Sequence, residues 1–82
     1  MVNYKTFQIS DALIWGFQVK VDIDECDSTD DIVTIVKNKT IEFMDKHNLQ
    51  IIKEQFVENC YDIHTDFSEI LLRDEIFYVC CH

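Results

Sequence analysis

Apolar and polar residues alternate most regularly in the segment from Trp15 to Ile23. The apolar members, at every second position, are Phe17, Val19, Val21 and Ile23. Successive side chains on a strand point to opposite faces, so this period of two predicts a strand with one buried and one hydrated face. Upstream, Tyr4 to Ile9 is rich in strand-forming residues, and Ser10 to Leu13 interrupts the pattern as a turn. The N-terminal part is therefore predicted to be a hairpin.

A helical pattern follows the hairpin. Ser28 and Thr29 are good N-cap residues, and Asp30 and Asp31 come next, where carboxylates favour the positive end of a helix dipole. The apolar positions that recur at helical spacing are Ile32, Ile35, Val36, Phe43 and Met44, with Lys39 and Thr40 interrupting the stripe. Asn48 tolerates the left-handed conformation on which helices often end, so His47-Asn48 is predicted to close this helix.

The remaining chain is predicted to consist mainly of strands. Leu49 to Val57 is interpreted as a third strand region and Cys60 to Ile63 as a short extra strand. Phe67, Ile70 and Leu71 fit a single helical turn. Ile76 to Cys81 is apolar on both faces, which is typical of a central strand. The predicted fold class is α+β, with a mixed β-β-α-β-β sheet packed on one long helix.

Size and charge narrow the possible functions. A chain of 82 residues predicts one domain, 1–82, and its formal net charge is −9. Direct binding to nucleic acid is not expected, because a phosphate backbone needs a basic stripe. A basic protein surface is the better candidate partner, although the acidity could also serve only solubility.

The start of the chain and its hydropathy indicate a location. Met1 is followed by Val-Asn-Tyr-Lys rather than an apolar stretch, so a secretory signal is not expected. No apolar run reaches the roughly 20 residues that span a bilayer. The protein is therefore expected to be intracellular, in the cytoplasm or the nucleus, with reduced thiols and no membrane partner.

The order of elements resembles that of ubiquitin-like domains, the β-grasp superfamily. More narrowly, Val19 to Cys26, Asp31 to Val36 and Ser68 to Glu75 are similar to the N-terminal domain of coilin, including the Arg73-Asp74 pair before the last strand. The resemblance covers most of the chain from about Val19 onward and consists of apolar patterns with a few polar matches. It implies a ubiquitin-like fold and a role in self-association.

Two features depart from those families. Conjugated ubiquitin-like proteins end in Gly-Gly, whereas this sequence has no glycine after Gly16 and ends in Cys80-Cys81-His82. Activation of a C-terminal glycyl carboxylate is therefore not expected. The coilin domain is also more basic and has a longer first loop, which weakens the inference of self-association.

Several residues carry side chains that could support chemistry. Cys80, Cys81 and His82 are weak metal-ligand candidates, which Cys60 or His64 could join, but adjacent strand residues point to opposite faces and cannot easily share one zinc ion. Cys60 and His64 could form a thiol–imidazole pair, yet no oxyanion hole is evident. The carboxylates from Asp22 to Asp27 lack the spacing of an EF-hand. No cofactor, metal or catalytic residue is therefore predicted, and the protein is not expected to be an enzyme.

An excess of apolar residues gives the leading functional hypothesis. Only one face of the last strand can cover the helix, so the other face would form an exposed patch with the neighbouring strand. The candidate partner-binding residues are Ile52, Phe56, Ile76 and Tyr78. A loop or Trp15 could instead cover that face, and Trp15 itself is interpreted as an edge residue of the core.

Three functions follow from these observations. The leading one is a non-enzymatic ubiquitin-like module that binds a protein partner, with a second copy of the chain as one candidate. The first alternative is an acidic inhibitor that mimics nucleic acid, of the kind small viral proteins use, and binds a basic partner. The second alternative is a small zinc- or thiol-dependent protein.

Overall fold

A computed structural model describes residues 3–10 and 16–81. The described chain begins with two strands, β1 (Tyr4–Ser10) and β2 (Gln18–Asp22), and a 3₁₀ turn (Ile23–Glu25). Two helices follow, α1 (Thr29–Lys46) and α2 (Gln50–Glu58). The last elements are a short strand β3 (Tyr61–Asp62), a short helix α3 (Phe67–Leu72) and a strand β4 (Ile76–Cys81). The predicted turn at Ser10 to Leu13 and the role of Trp15 fall largely on residues 11–15, which lie outside the described residues.

The four strands form one mixed sheet in the order β2-β1-β4-β3. β1 pairs with β2 antiparallel and with β4 parallel, and β4 pairs with β3 antiparallel. β4 thus has a neighbour on each side, which confirms the prediction that Ile76 to Cys81 is an internal strand. The α+β class and the mixed sheet of four strands are also confirmed.

All three helices contribute to a single core on one face of the sheet. The strands bury Phe7, Ile9, Val19, Val21, Phe77 and Val79 on that face, and the helices bury Ile32, Val36, Met44, Phe56 and Ile70 against them. The register places Phe7 beside both Val19 and Phe77, with the two phenyl rings 5.7 Å apart. The period-two pattern of the N-terminal hairpin therefore corresponds to real burial.

The ends of α1 match their predicted signals. The Ser28 hydroxyl accepts a hydrogen bond from the Asp31 amide at 3.4 Å, and Asp30 and Asp31 occupy the first turn. At the other end Asn48 has φ +57°, the left-handed conformation expected of it. The Leu49 amide donates to the Met44 carbonyl and the Asn48 amide to the Asp45 carbonyl. These two bonds satisfy carbonyls of the last helical turn and define a Schellman motif.

Within α1 the predicted interruption of the apolar stripe at Thr40 is wrong. Thr40 is fully buried, in line with Ile32, Val36 and Met44. Its hydroxyl donates to the Val36 carbonyl at 2.7 Å, so the polar atom is satisfied inside the helix. The methyl group can then face the core, and the buried stripe is continuous over four positions spaced four apart.

The prediction of a third strand from Leu49 to Val57 is also wrong, because Gln50–Glu58 is helix α2. The predicted packing on one long helix is corrected with it, since three helices cover the sheet. Leu49, Ile52 and Phe56 are three and four residues apart, and these are the positions that reach the core, whereas Ile51 is 75% exposed. Helical burial thus outweighs the strand propensity of the isoleucines and valine.

The third strand of the sheet lies further along the chain, inside the predicted short strand Cys60 to Ile63. It consists of Tyr61–Asp62 and pairs with the end of β4. The ring of Tyr61 lies 4.7 Å from that of Phe56. The Lys37 ammonium lies 5.3 Å from the Tyr61 ring centroid and donates to the Asn59 carbonyl at 3.2 Å. These contacts fix β3 against both long helices. The helical turn predicted around Phe67 to Leu71 is confirmed as α3.

Candidate functional site

The sheet face that points away from the helices carries the exposed apolar residues of β4. Ile76 and Tyr78 are 42% and 48% exposed, and neither belongs to the core cluster of the described residues or packs against it. Register places Ile76 beside Thr6 and Tyr78 beside Gln8 on β1. The same β1 residues pair with Lys20 and Gln18 on β2. We call this surface, made of Thr6, Gln8, Gln18, Lys20, Ile76 and Tyr78, the outer face.

The outer face is ordered by side-chain pairing as well as by the backbone. Gln8 is only 6% exposed, and the Gln18 amide nitrogen donates to the Gln8 side-chain oxygen at 3.3 Å. The polar half of the face is thus fixed beside Tyr78. An amphipathic tyrosine next to an aliphatic side chain and amide groups is a composition typical of protein-contact surfaces.

The four predicted partner-binding residues do not form one patch. Ile76 and Tyr78 share the outer face, but Phe56 is fully buried in the core and Ile52 is half-buried on α2. The prediction that Ile52 or Phe56 would extend the patch depended on their belonging to a neighbouring strand. Because that segment is a helix on the opposite side of the sheet, both residues are separated from the outer face.

A second apolar surface surrounds the turn between α1 and α2. It is an open depression of about 510 Å³, lined by Asn48, Leu49, Gln50, Ile51 and Ile52. Ile51 is the most exposed of these apolar side chains. Sequence reasoning missed this surface because the segment was interpreted as a strand. Its apolar residues sit around a helix start rather than on a flat, paired strand.

One corner of the outer face brings together three side chains of different chemistry. Asp62 pairs directly with Cys80 across β3 and β4, and His64 follows two residues after Asp62. Their ligand atoms all lie within 4.8 Å of one another, and the Asp62 Oδ1 and His64 Nε2 atoms are 3.5 Å apart. We call this group the β3–β4 triad. Asp62 and His64 are exposed and Cys80 is half-buried.

The triad differs from the predicted metal candidates. Cys80 and His64 are members, but Cys60 and Cys81 are not, and Asp62 is a member that the sequence pattern does not indicate. Cys81 pairs with Tyr61 and follows Cys80 directly, so it faces the other side of the sheet, as strand alternation predicts. His82 lies outside the described residues. The signal that identifies Asp62 is its register with Cys80, which no sequence pattern specifies.

An open polar cleft of about 280 Å³ adjoins the triad at His64. Its other lining residues are Thr65, Asp66, Glu69 and Arg73. The Arg73 guanidinium is held by Glu69 at 2.8 Å and by Glu75 at 3.3 Å. Its charge is therefore balanced by two carboxylates, and the cleft is not a strong anion site.

Cys26 and Cys60 lie outside the β3–β4 triad. Cys26 is 6% exposed and belongs to the core. Burial, followed by the negative charges of Asp31, Glu25, Asp22 and Asp27, raises the pKa of the Cys26 thiol. The neutral thiol is therefore the form present near neutral pH. Cys60 is exposed and is not a member of the β3–β4 triad.

The geometry defines this protein as a small α+β domain with a mixed four-stranded sheet. Comparisons with protein-family models, curated proteins and solved structures find no match to the chain. Within residues 3–10 and 16–81, no helix is long and apolar enough to cross a membrane.

Proposed function

We propose that this protein is a non-enzymatic, intracellular interaction module that binds a basic partner protein through its outer face. The observation that carries the proposal is the pair Ile76 and Tyr78, which lie on β4 beside β1 with nearly half of their surface exposed. Pairing with β1 holds this part of β4 in place, so both side chains stand on an ordered support. Tyrosine and isoleucine there offer a compact apolar centre within a polar border.

A β-grasp-like arrangement supports a binding role by analogy. The parallel pairing of the first and last strands in the middle of the sheet, with β2 and β3 outside them, is compatible with that fold. The analogy agrees with the binding role that the resemblance to ubiquitin-like domains implies. Function still depends on the surface itself, and fold alone does not specify it.

Charge indicates which kind of protein would bind. Asp22 and Asp62 flank the outer face on its two outer strands, and Glu75 precedes Ile76. These three carboxylates outnumber the one cation on the face, Lys20 on β2. The whole chain has a formal net charge of −9. A second copy would bring another −9 to the interface, and this repulsion disfavours self-association. A partner whose surface combines Lys or Arg with an apolar pocket for Tyr78 would gain from charge attraction and from burial of the tyrosine ring.

Site-specific photo-cross-linking tests this proposal in cells that naturally make the protein. The photoreactive residue p-benzoylphenylalanine would replace Tyr78 in one version and Ile51, in the apolar depression at the α1–α2 turn, in a matched version. We expect a discrete adduct with a basic protein from position 78 only. Ile76→Asp in the same chain should remove that adduct, while circular dichroism confirms that the fold is retained.

Each other outcome contradicts the proposal. An adduct from position 51 but not 78 would assign binding to the α1–α2 depression. An adduct of twice the chain mass would indicate a second copy as the occupant. Failure of position 78 to yield any adduct would leave the outer face without a binding role. In a purified complex, affinity should also fall as salt is raised, because screening weakens attraction between opposite charges.

A further inference from the structure

The geometry points to the β3–β4 triad as a zinc site, and we propose that Asp62, His64 and Cys80 bind one Zn²⁺ ion with water in the fourth position. The triad lies at one corner of the outer face, and Asp62 is also one of the carboxylates that would attract a basic partner. The inference itself depends only on the distances among three ligand atoms.

The ligand set suits zinc. Thiolate, imidazole and carboxylate are the three side-chain ligands that Zn²⁺ uses in proteins, and a mixed S, N, O set matches its borderline-soft character. Calcium and magnesium would favour oxygen ligands alone. Three protein ligands are fewer than the four of closed structural sites, so the fourth position remains for water.

Distances within the triad are close to those that a tetrahedral ion needs. Zinc bond lengths of about 2.0 to 2.3 Å place neighbouring ligand atoms roughly 3.3 to 3.6 Å apart. The Asp62 Oδ1 and His64 Nε2 atoms already lie 3.5 Å apart. The full set lies within 4.8 Å. Small side-chain rotations, without a change of backbone, would complete the geometry.

The fold fixes two of the three ligands before any ion arrives. Asp62 and Cys80 are direct cross-strand partners, and side chains of such pairs project together on one face of the sheet. His64 follows Asp62 at the spacing that returns an extended chain to the same side. Strand β3 is itself anchored by the packing of Tyr61 on Phe56. Because the fold already positions these side chains, zinc binding would cost little conformational entropy, and this favours binding.

Zinc binding at this site has two consequences for the thiol. The Cys80 thiol must lose its proton to ligate, so binding releases a proton and weakens as pH falls. The bound sulfur is also withdrawn from reaction with alkylating reagents. Cys60 is exposed and lies outside the triad, so its reactivity should not change. The two cysteines thus give an internal comparison within one protein.

The test measures Zn²⁺ binding to the purified, reduced full chain by competition with a chromophoric chelator. We expect one ion per chain. Cys80→Ser, His64→Ala and Asp62→Asn should each weaken binding by at least about tenfold, since each removes a ligand. The matched control Cys60→Ser should bind as the parent chain does. Co²⁺ in place of Zn²⁺ should give thiolate-to-cobalt absorption that Cys80→Ser removes.

A second measurement uses the unaltered chain and does not depend on the variants folding. Alkylation of each cysteine is followed by peptide mass spectrometry with and without Zn²⁺, and we expect protection of Cys80 alone. Equal protection of Cys60, binding unaffected by Cys80→Ser, or no stoichiometric zinc at all would each overturn the proposal. Protection of Cys81 together with Cys80 would also do so, because it would place the ion on the adjacent pair instead.

Discussion

At the residue scale, Asn48 is the position where a single side chain decides the course of the chain. It lies in the left-handed region with φ +57°, between α1 and α2. A β-branched residue there would clash with its own backbone, whereas glycine would not. We expect Asn48→Val to lower the free energy of unfolding by about 1 to 2 kcal/mol. Asn48→Gly should leave it nearly unchanged, as measured by urea denaturation.

Asn38 provides the control for that experiment. It is exposed within α1, so Asn38→Val tests the same exchange at a helical backbone position. Asparagine and valine have similar helix propensities, so its effect should be no more than a few tenths of a kcal/mol. Equal losses from the two valine variants would show that the turn after α1 does not need a left-handed residue.

Residues also show where sequence reasoning succeeds and fails. Asn48 could be predicted because few side chains tolerate its conformation, so identity and geometry are closely linked. Thr40 could not, because its burial depends on a hydroxyl that bonds back to the Val36 carbonyl. A threonine whose hydroxyl is hydrogen-bonded within its own helix can be as deeply buried as valine. Hydropathy scales do not include this hydrogen bond and therefore count the residue as polar.

At the element scale, α2 is the segment whose propensity and structure disagree. Its core contact is Phe56, which is fully buried, while Ile51 on the same helix is 75% exposed. We expect Phe56→Ala to cost about 3 to 5 kcal/mol of unfolding free energy, because it leaves a cavity and frees Tyr61 of β3. Ile51→Ala should stay within about 0.5 kcal/mol, as is usual at exposed positions.

Urea denaturation monitored by circular dichroism measures both variants. Losses of similar size at Phe56 and Ile51 would contradict the assignment of one buried and one exposed face to α2. Phe56→Ala should also weaken zinc binding at the triad, because β3 loses its packing on α2. The packing of α2 and the proposed zinc site are thus linked through the contact between the Phe56 and Tyr61 rings.

Elements also explain why the candidate site was predicted only in part. Strand alternation predicts that Ile76 and Tyr78 share one face of the strand. Because the strand is apolar on both faces, only the packing of the helices decides that this is the exposed face. The triad depends instead on the register between β3 and β4, which are separated by α3. Register across such a connection is set by tertiary packing. Sequence adjacency therefore suggested Cys80 with Cys81, whereas the fold places Cys80 beside Asp62.

At the scale of the whole molecule, negative charge is distributed unevenly. Between Lys20 and Lys37 the chain has no cationic residue, and its carboxylates there are Asp22, Asp24, Glu25, Asp27, Asp30 and Asp31. Only Asp30 and Asp31 lie in the first turn of α1, where the helix dipole favours them. The other four crowd the segment before α1 and repel one another. Burial first, and then the negative charges of this segment, raise the pKa of the Cys26 thiol.

Two charge reversals distinguish this local repulsion from the effect of net charge. Asp24→Lys and Glu42→Lys each change the formal net charge of −9 by two units, and both side chains are exposed. At low salt, we expect Asp24→Lys to stabilise the fold by about 0.5 kcal/mol, because it relieves repulsion in the acidic segment. Glu42→Lys should destabilise by about 0.3 kcal/mol, because it adds a cation between Lys39 and Lys46 at helical spacing.

Thermal unfolding of both variants at low and high salt measures these effects. In 1 M salt the screening length falls to about 3 Å from about 30 Å at 0.01 M, so the two variants should converge on the parent chain. If both variants stabilise equally at low salt, net charge alone governs stability and the acidic segment has no special effect. If the opposite signs are observed, the segment from Asp22 to Asp31 carries a repulsion of its own that net charge does not explain. A basic partner bound near this segment would then relieve that repulsion.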